Sequence, residues 1–273
     1  MYSVCAPNIK SDKSCFDITE LQEMAIAFNK YIVKNKICNK MGCAMPVEIQ
    51  GILIKNKSEL WHSIDKRLRK LCKSESCWIE MPFINEIKDK NLRDKLEYFT
   101  FKPKMPKKKY QWLSTMDIDY VMQQFQELDA TFKFVGALPS DFYTQVKVNY
   151  KDLYKYTKLA IVFNLDNHKR KGSHWVAFYV DNRTKTIEYF DSTGGKPNKN
   201  IQTFIHRIRK YLPEHKYLLN TRSHQKHNSE CGVYAMYFII QRLFGKTFDQ
   251  VVNGQIITDK EMNDYRQIIF RPA

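Results

Sequence analysis

The sequence predicts an α+β fold: a helical first third, then helices and short strands gathered around one buried helix. Three observations predict it. Apolar residues recur at three- and four-residue steps through the first third, and short apolar runs bounded by turn residues follow in the second half. The segment "CGVYAMYFIIQRLF" near the end is apolar on nearly every face, as a buried central helix is. With 273 residues, 43% of them hydrophobic and 14% aromatic, the chain can bury a sizeable core.

The first helix is expected from Asp17, where Ile18, Leu21, Met24, Ala25, Phe28, Tyr31 and Ile32 fall on one stripe. A second is expected over Ser58 to Leu71, with Leu60, Trp61, Ile64, Leu68 and Leu71 opposite a basic face. A third is expected near Asn91 to Phe99. Then Phe101 to Tyr110 carries two prolines and five lysines, which oppose both helix and packed strand. A boundary here gives a basic, mainly helical domain over 1–105 and a mixed domain over 106–273. The second domain opens with a helix starting near Ser114 or Thr115. Strands are expected at Leu159–Asn164, His174–Val180, Thr186–Phe190 and Tyr217–Thr221. An amphipathic helix runs from Ile201 to Leu212, stopped by Pro213.

The formal charge of +16 fits either a polyanion-binding protein or a lysine-rich solvated surface. The N-terminus lacks the apolar core of a secretory signal, and the longest apolar run, Val233 to Ile240, is too short to span a bilayer. A soluble intracellular protein without membrane insertion is the expectation. Six of seven cysteines lie in the first third. The Cys38/Cys43 and Cys72/Cys77 spacings are wider than the usual zinc knuckle, so buried thiols in a reducing compartment are expected.

The seventh, Cys231, stands alone at the predicted start of the buried helix. Asn228 or Ser229 can cap that helix, and its unpaired amides and dipole favour a thiolate. The hairpin "SHWVAFYVDNRTKTIEYFDSTGG" supplies two more groups. If the turn centres between Asn182 and Arg183, His174 sits directly opposite Asp191, within reach of a hydrogen bond. The pair shares the face of Val176, Phe178, Val180, Ile187 and Tyr189 and so looks toward the core. A carboxylate on one ring nitrogen fixes the tautomer and leaves the other as a base. Taken singly, each residue has a plainer reading in packing or surface; together they suggest a Cys–His–Asp triad. Acyl transfer also needs oxyanion donors: the Cys231 amide, with Gln225 or Asn228 as the side-chain candidate.

"SHW…EYFDS…HQKHNSECGVY" resembles the signature of the ubiquitin-like-protein cysteine proteases, which include SUMO proteases and adenovirus protease. "WLSTMDIDYVMQQF" resembles the segment that opens their catalytic domain. The resemblance implies a papain-related, adenain-like core, with a mixed sheet packed on the central helix. It makes His174 the base, Asp191 its orienting partner, Cys231 the nucleophile and Gln225 the oxyanion donor. "SESC" at Ser74–Cys77 and the closing "ITDKEMNDYRQIIFRPA" are similar to the polyprotein-processing members from large DNA viruses. Such a member has asparagine where this chain has Asp191, and glutamine where it has Asn228, so both oxyanion candidates stay open.

By that resemblance the expected function is cleavage of viral structural polyproteins after Gly-Gly-Xaa during virion maturation, in host cytoplasm and virion core, with no cofactor or metal. Trp175 is a plausible wall of a narrow tunnel for glycine. DNA could bind the basic arm through Lys102, Lys104, Lys107, Lys108, Lys109 and the Lys66–Lys73 face. One alternative is a deSUMOylase or deubiquitinase acting on host conjugates. A remote one is a zinc and nucleic-acid module using His224, His227 and Cys231, whose spacing fits no common finger.

Overall fold

A computed structural model describes residues 4–7, 9, 14–35, 38–39, 42–43, 56–108 and 110–272. The chain forms two compact units, Met1–Lys102 and Pro103–Ala273.

In the first unit α1 (Ile18–Asn35) starts where Asp17 and Glu20 exchange backbone-to-carboxylate hydrogen bonds of 2.6 and 2.8 Å. The paired dipeptides β1 (Cys38–Asn39) and β2 (Gly42–Cys43) follow. Next come α2 (Lys57–Leu68), α3 (Glu75–Trp78), a 3₁₀ turn at Pro82–Glu86 and α4 (Lys90–Tyr98). Leu21, Met24, Phe28, Leu60, Ile64, Trp78, Phe83 and Leu96 share its core. Two expectations are corrected here. Helix α2 ends at Leu68, and Leu71 is 70% exposed, because the chain turns to bring Cys72 to Cys77. The thiols are not all free: Cys5 bonds Cys15 and Cys72 bonds Cys77, their Cα atoms 5.3 and 5.7 Å apart, within bridging range. Among the proposed DNA contacts, Lys102 is buried, Lys104, Lys107 and Lys108 are exposed, and Lys109 lies outside the described residues.

The second unit opens with α5 (Thr115–Leu128), fixed by a capping box between Ser114 and Asp117. Strand β3 (Phe132–Pro139) follows, then β4 (Lys158–Asn164), β5 (Trp175–Asp181) and β6 (Thr186–Phe190). Helix α6 (Lys199–Tyr211) leads to β7 (Lys216–Leu219), and α7 (Cys231–Leu243), α8 (Phe248–Val252) and α9 (Asp259–Ile269) close the chain. The sheet order is β3-β4-β5-β6-β7; the inner pairs are antiparallel and the two outer pairs parallel. This is a mixed α+β architecture, one five-stranded sheet with helices packed against it. Trp175, Ala177, Tyr179 and Phe190 pack with α5 and α7. The opposite face, Val176, Phe178, Val180, Ile187 and Tyr189, packs with Ile201, Phe204, Ile205 and Ile208 of α6. The sheet is therefore covered on both sides, and β5 is buried throughout.

The hairpin register differs from the expected one. Asp181 pairs with Thr186, and Phe178 with Tyr189, two residues along from the expected partners. The Asp181 carboxylate accepts the Arg183 and Thr184 amides (2.9 and 3.1 Å), and Lys185 takes a positive φ of 53°. This Asx-type turn moves the loop centre one residue on.

Candidate active site

His174 and Asp191 lie just beyond the facing ends of β5 and β6, and Cys231 is the first residue of α7. The two-residue shift makes His174 and Asp191 diagonal rather than opposite. It preserves strand parity, and the imidazole spans the diagonal: Nε2 is 2.7 Å from Asp191 Oδ1. The expectation that the pair shares the face of Val176 and Phe178 is corrected by the α6 packing of that face. The pair instead meets the start of α7, on the other side, because the chain leaves strand geometry at both residues.

Asp191 is 2% exposed and firmly held. Its Oδ1 also accepts the Thr193 amide (2.9 Å) and hydroxyl (2.8 Å), while its carbonyl accepts Asn220 Nδ2 (2.5 Å). A Cβ on Gly195 would lie 2.7 Å from Asp191 Oδ2, so "DSTGG" closes around the carboxylate only with glycine there. With Nε2 engaged by Asp191, the ring's Nδ1 remains, and Cys231 is near enough to raise the ring's pKa. Burial disfavours a charged ring, but Asp191 first and Cys231 second outweigh it and raise His174 from 6.5 to about 9. The imidazolium thus persists at neutral pH beside a sulfur that is 2% exposed.

Helix α7 is not capped as expected. Its N-cap is Glu230, and no side chain caps it among the described residues; the Glu230 carboxylate instead accepts the Ser229 amide and hydroxyl. The positive end of α7 is left facing the site. Gln225 is buried, with Oε1 accepting Ser192 Oγ (2.6 Å) and Nε2 donating to His227 O (2.5 Å). Ser192 follows Asp191, so this bond ties the glutamine to the carboxylate loop. One Nε2 hydrogen remains for another acceptor. Asn228 is exposed.

Trp175 is 6% exposed and donates from Nε1 to Leu113 O (2.9 Å). It lines a groove of about 500 Å³ together with Trp112, Leu113, Leu138, Arg170 and Lys171. A Cβ on Gly232 would meet Leu113 at 3.2 Å and Trp175 at 3.3 Å, so a glycine after Cys231 lets that wall close on the helix. His224 is buried and His227 exposed, and among the described residues no cluster of His, Cys, Asp or Glu could hold a metal. No helix among them is long and apolar enough to cross a membrane. The sequence reading did not single out Trp112, Ser192, Thr193, Gly195, Asn220 or Gly232. The glycine pair after "DST" was the available signal for Gly195.

A buried thiol at a helix start, an imidazolium and a held carboxylate are the parts of a thiol acyl-transfer site. A protein of Acanthamoeba polyphaga mimivirus, a thiol protease by name, is 33% identical over 98% of this chain and 93% of its own length. The cysteine protease of African swine fever virus is 27% identical over 80% of this chain and 90% of its own. The crystal structure of that virus's protease superposes with a TM-score of 0.69 at 24% identity, covering 99% of this chain and 96% of that one. The profile of the Ulp1 protease family C-terminal catalytic domain matches residues 90–272. The chain belongs to the Ulp1 protease family, and it is a cysteine protease.

Proposed function

We propose that this protease is a viral endopeptidase that cleaves structural polyproteins after Gly-Gly-Xaa during virion maturation, in host cytoplasm and in the virion core. The observation that carries the chemistry is the 2.7 Å bond of His174 to Asp191, beside the buried Cys231 that opens α7 and helps raise the ring's pKa. Cys231 Sγ attacks the scissile carbonyl carbon, and the carbonyl oxygen becomes an oxyanion held by the Cys231 amide and Gln225 Nε2. The intermediate collapses as His174 gives its proton to the departing amine, leaving a thioester. His174, now neutral, takes a proton from water, whose oxygen displaces the thiolate and releases the acid. Asp191 keeps the ring oriented and supports its charge in both halves.

Support for the substrate class comes from the groove. Trp175, next in sequence to His174, is held by its bond to Leu113 and stands 3.3 Å from where a Cβ on Gly232 would be, a fixed wall that suits residues without side chains. Viral relatives support the setting.

The test is the alkylation rate of Cys231 against pH, in wild type and His174→Ala, followed by cleavage of Gly-Gly-Xaa peptide libraries. Fast labelling below pH 7 that the mutation abolishes is expected. Labelling that rises only above pH 8 in both proteins would sink the mechanism. Rapid reaction with full-length ubiquitin-like probes, without cleavage of the peptides, would replace polyprotein processing with deconjugation.

A further inference from the structure

Helix α9 presents three polar residues on one face: Asp259, Asn263 and Arg266, at i, i+4 and i+7. Each holds a different point of the loop that leads into Cys231. Asp259 Oδ2 accepts the amides of Lys226 (3.0 Å) and His227 (2.9 Å), and its Oδ1 accepts Tyr234 OH (3.0 Å) from α7. Asn263 Nδ2 donates to Glu230 Oε1 (2.9 Å). Arg266 Nη2 donates to Ser229 O (2.9 Å), and the residue is only 2% exposed.

The loop and α9 border one cavity of about 940 Å³, lined by His227, Ser229 and Glu230 on one part and by Asp259, Asn263 and Arg266 on the other. Packing alone therefore cannot hold the loop. Its five residues, 226–230, separate Gln225 from Cys231, so their path sets the distance between the two oxyanion donors.

We propose that Asp259, Asn263 and Arg266 are positioning residues of the protease: they hold Lys226–Glu230 in the path that aligns Cys231 with His174 and with Gln225. The assignment rests on the triad reading above. Burial lowers the Arg266 pKa, and the charges of Glu230 and then Cys231 partly offset it. Loss of the arginine thus removes a nearby positive charge as well as a tether.

The experiment measures kcat and KM on a Gly-Gly-Xaa peptide, per Cys231 site counted by alkylation, alongside Tm. Asn263→Ala should lower kcat ~10- to 100-fold, the scale of a misplaced reacting group, with KM and Tm little changed. Arg266→Met should do the same, and Arg266→Lys, which keeps one donor, should recover part of the loss. Glu230→Gln combined with Asn263→Ala should cost less than the sum of the two single variants, because one bond is common to both. Should Arg266→Met fail to fold, Asn263→Ala and the double variant carry the test. Unchanged kcat per labelled site, or losses that follow only the unfolded fraction, would overturn the proposal. Cleavage surviving in His174→Ala would overturn the triad reading instead; inactive His174→Ala beside fully active α9 variants would overturn this one alone.

Discussion

Replacing Asp191 with alanine should lower the titration of His174. In the folded protein the ring stands at about 9 against 6.5, a difference of ~3 kcal/mol at 1.36 kcal/mol per pH unit. Burial opposes that rise, so Asp191 and Cys231 together supply more than the net amount. Asp191 contributes the larger part through each kind of interaction, so its share exceeds half of the net rise. Its loss should therefore lower the ring's titration, since the largest favourable interaction of the imidazolium goes with it. The sign for stability follows from linkage. A ring whose pKa is higher folded than unfolded stabilises fully below about pH 6.5, and that contribution fades as pH rises through about 9. Wild-type stability should fall across that window, and the variant's should fall less. NMR of ¹³C-labelled histidine, with His174 assigned by its absence in His174→Gln, reads the ring directly. Urea unfolding at stepped pH reads the linkage. A wild-type ring titrating near 6.5, or a variant ring still near 9, would refute the reasoning.

Gly195→Ala should depress kcat without unfolding the protein, because its Cβ would lie 2.7 Å from Asp191 Oδ2 and force the carboxylate off His174; steady-state kinetics against Tm checks this. Arg242→Ala should destabilise by ~3–5 kcal/mol in denaturant unfolding. It would strand Glu188, which is fully buried and accepts two of the guanidinium's bonds at 2.8 Å. Reduction of Cys5–Cys15 and Cys72–Cys77 should cost the first unit ~2–3 kcal/mol per bond for loops of this length. Cys231 alkylation should be unaffected, and non-reducing peptide mapping with thermal unfolding in reductant reads both outcomes.

Much of the fold was legible because its signals are local. The stripe from Ile18 to Ile32, the Ser114 cap and the all-apolar run after Cys231 each specify a helix within a few turns of chain. Strand β3 was missed because "FKFVGALP" carries Gly136 and Pro139 and a bulge near Val135. Only its parallel pairing with β4 makes it a strand. The helical end at Leu68 depended on Cys72 meeting Cys77, a contact that periodicity does not encode.

The sequence by itself determined which residues could do chemistry: a lone cysteine opening a buried helix, a histidine before one strand and an aspartate after the next. Their meeting tolerated the error because a two-residue slip leaves the imidazole one diagonal step from the carboxylate, which it spans at 2.7 Å. Tertiary structure decided the rest. It moved the hairpin turn through the Asp181 side chain, gave the face of Val176 to α6, and tied Gln225 to Ser192. It also bent the 226–230 loop onto α9. The reason is reach: periodicity and caps act within a few residues. The bonds that orient Asp191, Gln225 and Cys231 join segments about thirty residues apart, and only folding brings these together.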